Sequence, residues 1–534
     1  MYSNKESVNI LTSLLVAHGV KHVVVCPGSR NAPLVHNFYV CPDLQCFPVT
    51  DERSAGFYAL GMAIATDNPV AICVTSGTAL LNVAPAVAEA SYQHRRLIVI
   101  SADRPQAWID QLDGQTMPQV NAFGVFVSKC VNLPEVKDDE SRWLCNRLIN
   151  EAFVSSMKCG GRPVHINVPI SEPLFDFSVP ELPKERKIEY IVPDNNIDEI
   201  EINQFLNSKR PIIVIGQLRY DPELSGMIDE IRKNYVVLCE PLAYDGGATW
   251  FDKMYDTVST DNSYAPDYIL YMGDTVVSKL LKRYLRSVSC TDVCMVSEDG
   301  EIHDVTMRMN RLVACSVKGI LKTILKHKSI AAERSFYELW NAEIEHCKSQ
   351  ILPISSKDIL KETARLFEME MDKRQMTHHV QYANSSSVRY GCLFSNHYIY
   401  VNRGINGIEG SLSTAAGYSL MVQSKTFIVI GDLSFFYDSN ALWNKNLNGN
   451  LRILLLNNGC GGIFSKLKGL ENSPSRDDCV AASHETSAEG LCNSYGIDYM
   501  SASDIDEVTA CLPVLFGKES DVPILLEVKE MKNF

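Results

Sequence analysis

The sequence has no apolar run approaching the roughly 18 residues that a membrane-spanning helix needs, so no transmembrane helix is expected. It has no basic excess. Against 50 Lys and Arg stand 64 Asp and Glu, a formal charge of −14 that argues against nonspecific nucleic-acid binding. It also has no C-x-x-C pair. The 17 cysteines are scattered, the closest being Cys290 and Cys294, and no histidine cluster accompanies them. Structural zinc is therefore not expected, and reduced thiols in a cytoplasm fit best. The polar residues 1–7 lead into no h-region, so no signal peptide is expected. These absences describe a cytoplasmic chain that binds neither membrane nor nucleic acid.

What is present is ordinary in amount and informative in order. With 534 residues, 46% apolar and 21% charged, the chain is too long for one core, and two to four globular domains are expected. Between residues 8 and 168, apolar runs at 22–26, 70–74, 97–101 and 164–168 alternate with helix-length stretches at 52–66, 79–92 and 140–157. A Pro- and charge-rich stretch at 172–195 reads as a linker. Strand candidates resume at 211–215, 236–239, 268–272 and 294–296, and a charged helical passage follows at 330–349. A third series lies at 378–382, 399–401, 427–430, 452–456 and 524–528. Such alternation predicts an α/β protein of three doubly wound, parallel-sheet domains, at 1–180, 195–345 and 355–534. The run from Gly61 to Gly77 echoes the run from Gly417 to Asp432: helix, strand, small-residue turn. Chance and duplication remain equally open as its source.

The chemistry concentrates in the third series. Gly431-Asp432-Leu433-Ser434 ends one apolar run and Asn457-Asn458-Gly459 ends the next, with a helix expected at 438–446 between them. Asp432 and Asn458 then stand at the carboxyl ends of neighbouring parallel strands, where open α/β sheets bind ligands. Singly, Asp432 reads as a helix N-cap and Asn458 as a turn residue. Together, with Gly461-Gly462 leaving the backbone open, they suit a hard cation that adds substrate phosphates to a few protein oxygens. Glu52 lies in Val49-Thr-Asp-Glu-Arg53, where a strand meets a helix, and a carboxylate there also complements the helix dipole. Arg30, Arg104, Arg389 and Arg403 all fall near strand ends. Any one alone reads as an ion-paired or a surface arginine. Four on the ligand edges point to a polyanionic substrate, because guanidinium grips carboxylate in a bidentate fork.

The spacing of Gly431-Asp432 and Asn457-Asn458 resembles the thiamine-diphosphate motif. Further motifs narrow the likeness: Pro27-Gly-Ser-Arg-Asn-Ala-Pro33, Thr50-Asp-Glu-Arg53, Thr75-Ser-Gly-Thr78, Ser101-Ala-Asp-Arg-Pro105, Asn402-Arg-Gly404 and Gly410-Ser-Leu-Ser-Thr-Ala-Ala-Gly417. With these the chain resembles the MenD family of menaquinone biosynthesis, the 2-succinyl-5-enolpyruvyl-6-hydroxy-3-cyclohexene-1-carboxylate synthases. The resemblance covers both outer segments and little of the middle one. It implies the thiamine-diphosphate-binding fold, thiamine diphosphate with Mg²⁺ or Mn²⁺, and a transferase reaction. In that reaction 2-oxoglutarate is decarboxylated and the succinyl carbanion adds 1,4 to isochorismate.

Carried over by position, Glu52 bonds the N1′ atom of the aminopyrimidine and drives its proton relay. Asp432, Asn458 and the backbone carbonyl of Cys460 hold the metal. Gly431, Leu433 and Ser434 form the cofactor turn with Asp432, Ile408 wedges beneath the thiazolium, and Phe464 and Leu467 line the apolar side. Arg389 and Arg403 hold carboxylates, Arg30, Arg104, Gln115 and Lys279 help bind the acceptor or intermediate, and Ser29 and Ser385 contact substrate or cofactor. Gly114 and Cys460 depart from the family pattern, which often has Asn and Gly there. A homodimer or tetramer with active sites shared between subunits is also implied. Two other readings stay open on the residues alone: a thiamine-diphosphate enzyme acting on monocarboxylates, and a noncatalytic protein that kept the fold.

Overall fold

The computed structural model describes residues 1–534 apart from 192–198, 248–249, 291, 328–330, 350–357, 375–378, 465–466 and 531–534. Two compact units emerge, one made of Met1–Ile191 with Asn402–Phe534 and the other of Val192–Val401.

The first unit begins with six strands, β1 (His22–Val25), β2 (Gln45–Pro48), β3 (Val70–Val74), β4 (Leu97–Asp103), β5 (Lys129–Asn132) and β6 (Val164–Pro169). They pair in parallel in the order β2-β1-β3-β4-β6-β5. Successive strand side chains face opposite ways, and here both ways are apolar. Val23, Val25, Ala71, Cys73, Ile98 and Ile100 join a core with Leu11, Leu14, Phe38 and Ile149 from the helices Glu6–Ala17, Ala32–Val40 and Asp139–Ser156. Val24, Ile72 and Val99, the alternate residues, are equally buried. Helices therefore cover both faces, which is why these strands read as unbroken apolar runs. The expected helix 79–92 is two helices, Thr78–Asn82 and Ala84–Tyr92. Pro85 has no N–H to donate back to residue 81, so the helix cannot run through. Residues 172–191 form no helix, yet they are no free linker. Tyr2 and Val179 form a bridge, Ser13 Oγ donates to the Pro183 carbonyl, and Asn146 and Asn150 donate to that of Arg186. Residues 192–195 lie outside the described residues.

The same unit contains β14 (Thr426–Gly431), β15 (Leu451–Asn457), β16 (Asp498–Ala502) and β17 (Ile524–Lys529), paired in parallel as β14-β15-β17-β16. That order repeats β3-β4-β6-β5, and the internal echo in the sequence places β14 where β3 stands. The helices preceding these two strands, Glu52–Thr66 and Ser411–Ser419, pack on each other through small residues. A Cβ on Gly61 would lie 2.0 Å from the Thr414 carbonyl oxygen, and one on Gly417 would lie 2.2 Å from that of Tyr58. No side chain fits at either glycine.

The second unit holds β7 (Pro211–Ile215), β8 (Val236–Cys239), β9 (Tyr268–Met272), β10 (Asp292–Val296) and β11 (Arg311–Val313), parallel in the order β11-β10-β9-β7-β8. It also holds the parallel pair β12 (His379–Tyr382) and β13 (Tyr400–Val401). Trp340, in the helix Arg334–Ser349, is fully buried against Tyr264 and Tyr284. Of the residues assigned above to strands or helices, Ile330 and His378 lie outside the described ones. The architecture is α/β throughout, three series of parallel strands with interleaved helices.

Candidate active site

At the carboxyl end of β14, Asp432 opens the helix Asp432–Tyr437, so the helix expected at 438–446 starts six residues earlier than the spacing suggests. It ends where the buried Asp438 turns away to accept from Ser413 N and Oγ, both at 2.8 Å, and a 3₁₀ turn, Ser439–Leu442, follows. Asp432 is 3% exposed. Its Oδ1 accepts from Leu433 N at 2.7 Å, and its Oδ2 accepts from Cys460 N at 3.2 Å. At the end of β15, Asn458 turns its side-chain oxygen to the Cys460 carbonyl oxygen, 2.8 Å away, and to Asp432 Oδ2, 3.2 Å away. With the amide turned this way, three oxygens converge. A rotated amide would donate to both neighbours. As it stands, the arrangement matches a hard cation. Mg²⁺ holds oxygens at 2.0–2.1 Å in an octahedron, which sets adjacent ligands about 3 Å apart. Among the described residues no three His, Cys, Asp or Glu side chains cluster as metal ligands. The donor set here is one carboxylate, one amide oxygen and one main-chain carbonyl.

Asn457 anchors this corner. Its Nδ2 donates to Glu527 Oε1 at 2.7 Å and its Oδ1 accepts from Gly459 N at 3.0 Å, fixing a turn in which Gly459 has φ +66°. Glu527, fully buried, also accepts from Tyr499 and Ser487. Burial pushes the Asp432 carboxyl up, while the Leu433 N–H, His484 and the Gly459 and Cys460 N–H groups pull it back. His484, which no motif marks, accepts from Thr486 N through Nδ1 and brings Nε2 within 3.4 Å of Asp432 Oδ2. A hollow of about 260 Å³ opens beside it, lined by Asn458, Gly459, Thr486 and Lys529 among others.

Glu52 occupies the second corner, past β2. Asp51 caps its helix by accepting from Ser54 N at 2.9 Å, which leaves Glu52 as the first helical residue, half-buried. It borders a cavity of about 240 Å³ with Thr75, Ser76, Gly77, Thr78, Asn82 and Gln115. Asn82 Nδ2 donates to Glu52 Oε2 at 3.3 Å. Asn82 was not anticipated, although it lies one turn past the Thr75–Thr78 motif. Among the described residues no third-segment residue lines this cavity, and no first-segment residue lines the hollow beside Asn458. Asp51 and Arg53 instead meet the far end of the Asp432 helix. Asp51 Oδ2 accepts from Asn440, and Arg53 donates to the Tyr437 carbonyl. One chain therefore sets Glu52 and Asp432 toward opposite ends of a helix about 9 Å long.

The cations fall into two groups. In the first unit, Arg30 is buried and donates to the Ile170 carbonyl at 2.9 Å and to Glu172 at 3.0 Å, with Ser29 exposed beside it. Arg104 pairs with Asp113 at 2.9 Å and donates to the Gly114 carbonyl. Asp103 lies near Arg30, which helps pull its burial-raised pKa back down. Arg403 is half-buried, and Ile408 and Leu467 are each 43% exposed. A Cβ on Gly461 would lie 2.7 Å from the Phe464 ring, so this ring covers the Gly461-Gly462 turn. In the second unit, Arg389 Nη1 donates to the carbonyl of Ser385, whose φ is +72°. A serine held in that region marks a strained turn of the kind that collects at functional sites. Asp252, hydrogen-bonded to Ser278, is drawn down by Arg389 after burial raises it, and exposed Lys279 follows Ser278.

Three series of parallel strands with interleaved helices are the fold of a thiamine-diphosphate-dependent enzyme. Residues 6–124 match the family described as thiamine pyrophosphate enzyme, N-terminal TPP binding domain. The chain is 40% identical to a 2-succinyl-5-enolpyruvyl-6-hydroxy-3-cyclohexene-1-carboxylate synthase of Phocaeicola vulgatus, over 99% of this chain and 96% of the relative. Synthases of the same name from Bacteroides thetaiotaomicron and Porphyromonas gingivalis are 39% and 34% identical, over 100% and 99% of this chain and 97% and 95% of theirs. The chain belongs to this synthase family. No helix among the described residues is long and apolar enough to cross a membrane.

Proposed function

We propose that this chain joins the four-carbon remainder of decarboxylated 2-oxoglutarate to isochorismate, giving 2-succinyl-5-enolpyruvyl-6-hydroxy-3-cyclohexene-1-carboxylate for menaquinone biosynthesis. One observation carries the reading: identity to synthases of that name runs along essentially the whole chain. Thiamine diphosphate, when bound, supplies the nucleophilic carbon and the electron sink. The protein supplies grip, orientation and proton handling. Asp432, Asn458 and the Cys460 carbonyl would hold Mg²⁺ or Mn²⁺, and Gly431, Leu433 and Ser434 shape the turn beside it. Glu52 holds a proton at the N1′ position of the aminopyrimidine, with Asn82 keeping the carboxylate turned into its cavity. Ile408 would support the coenzyme, and Phe464 and Leu467 would keep water from its apolar side.

Both substrates are dicarboxylates, which accounts for so many cations in an acidic protein. Arg389 and Arg403 hold carboxylates. Arg30, Arg104, Gln115 and Lys279 bind the acceptor or intermediate, with Ser29 and Ser385 contacting substrate or cofactor. Glu172 and Asp113 act as exchangeable partners for Arg30 and Arg104, and Glu172 is well exposed. Since one chain keeps Glu52 and Asp432 apart, two copies complete each site, Glu52 of one facing Asp432 of the other. The working enzyme is a homodimer or a tetramer built from dimers, in the cytoplasm. Its pyrimidine-binding domain spans residues 1–180, its central domain 195–345 and its diphosphate-binding domain 355–534.

The test is to incubate the protein with thiamine diphosphate, Mg²⁺, 2-oxoglutarate and isochorismate and to weigh the product. The adduct's mass is expected. CO₂ release from pyruvate, with none from 2-oxoglutarate, would move the chain to a monocarboxylate-using relative.

A further inference from the structure

Arg403 sits on a loop whose backbone is held by a residue from the other end of the sequence. Glu89, in the helix Ala84–Tyr92, is 3% exposed. Its Oε1 accepts from Gly404 N at 2.7 Å and from Gln93 Nε2 at 2.6 Å, and its Oε2 accepts from Ile405 N at 2.7 Å. A buried carboxylate is costly unless hydrogen bonds satisfy it. Here both of its oxygens are satisfied by the two amides immediately following Arg403. Space at the contact is equally defined. A Cβ on Gly404 would lie 2.9 Å from both the Glu89 carbonyl oxygen and Tyr92 Cβ. On the other side of Arg403, Asn402 Nδ2 donates to Thr414 Oγ1 at 2.9 Å.

We propose that Glu89 is a positioning residue for Arg403: its carboxylate fixes the main chain from which the guanidinium reaches the substrate carboxylate. Glu89 touches neither substrate nor cofactor. It works through geometry, because a bidentate fork loses its match to a carboxylate when its base moves or turns. The proposal rests on the reading of Arg403 as a carboxylate holder. No motif marked Glu89 in the sequence, since it lies inside an ordinary apolar helix and becomes singular only when residues 404 and 405 arrive beside it.

The experiment is a double-mutant cycle read as KM for 2-oxoglutarate, with thiamine diphosphate affinity measured by calorimetry in Mg²⁺. Glu89→Gln keeps the shape but sets an NH₂ group against a backbone N–H. It should raise KM about tenfold, the scale of one charge-assisted hydrogen bond, and leave cofactor affinity unchanged. Arg403→Ala should raise KM further, and adding Glu89→Gln to it should cost nothing more. Multiplying losses in the double variant would show that Glu89 acts apart from Arg403 and would overturn the proposal, as would an unchanged KM in Glu89→Gln. An unchanged KM in Arg403→Ala would overturn the assignment of Arg403 itself. If Glu89→Gln fails to fold, Gln93→Met removes the lateral donor to Glu89 together with its 3.5 Å contact to Asn402 Oδ1, and should raise KM about twofold, an effect again absent in the Arg403→Ala background.

Discussion

Glu52 and Asp432 each begin a helix in a unit whose two strand series share one order, yet they are held in opposite ways. Asp432 is 3% exposed and uses both oxygens on backbone amides, with Asn458 and the Cys460 carbonyl pressed against it. Glu52 is half-buried, borders a cavity and receives one long hydrogen bond from Asn82. The contrast fits the two tasks proposed for them. An ion holder gains from rigidity and from lone pairs that converge. A proton carrier needs room for its partner and an oxygen free to accept it.

The severest test of that contrast is Asp432→Ala, which should abolish Mg²⁺-dependent retention of thiamine diphosphate. Unchanged retention by calorimetry would remove Asp432 from the ion corner. Glu52→Gln should leave cofactor retention intact and slow turnover by about 10²–10⁴, the span of positioned proton transfer. Turnover at the parental rate would leave the second corner without its assigned task. Gly417→Ala asks whether the two corners share a frame. With the new methyl 2.2 Å from the Tyr58 carbonyl oxygen, overpacking should cost about 3 kcal/mol, read as a lowered thermal midpoint. An unshifted midpoint would show that the crossing gives way freely.

Asp438, at the far end of the Asp432 helix, supplies the mildest test. Burial pushes its pKa to about 7, the Ser413 N–H and hydroxyl opposing. The folded protein therefore keeps a proton that the unfolded chain has already released. Stability from this group should fall as pH rises from about 4 to 7 and level off above that. Asp438→Asn should flatten this window in thermal melts across pH. A slope unaltered by the substitution would assign it to other groups.

Much of the fold was legible because central strands are buried on both faces. Val70–Val74, Pro211–Ile215 and Tyr268–Met272 have the bounds that their apolar runs predict. The strands that escaped notice, β5, β11 and β16, all lie at sheet edges, where one face or flank is open and polar residues interrupt the run. The meeting of Asp432, Asn458 and Cys460 was legible for a related reason: they follow two strong strands and need only local turns to come together. His484, Asn82 and Glu89 were not. Each reaches its partner through tertiary packing, and neither residue type nor spacing announces the contact. Residues 172–191 escaped for the opposite reason, since a Pro- and charge-rich composition conceals side-chain and backbone bonds to two helices.

The paired glycines at 61 and 417 carry a lesson for anyone who would retune this enzyme. Where two main chains touch with nothing between them, the joint has no slack, so a shift meant to widen one pocket is transmitted to the opposite one as misalignment. Directed changes are better sought along the edge strands, where the scaffold can absorb them.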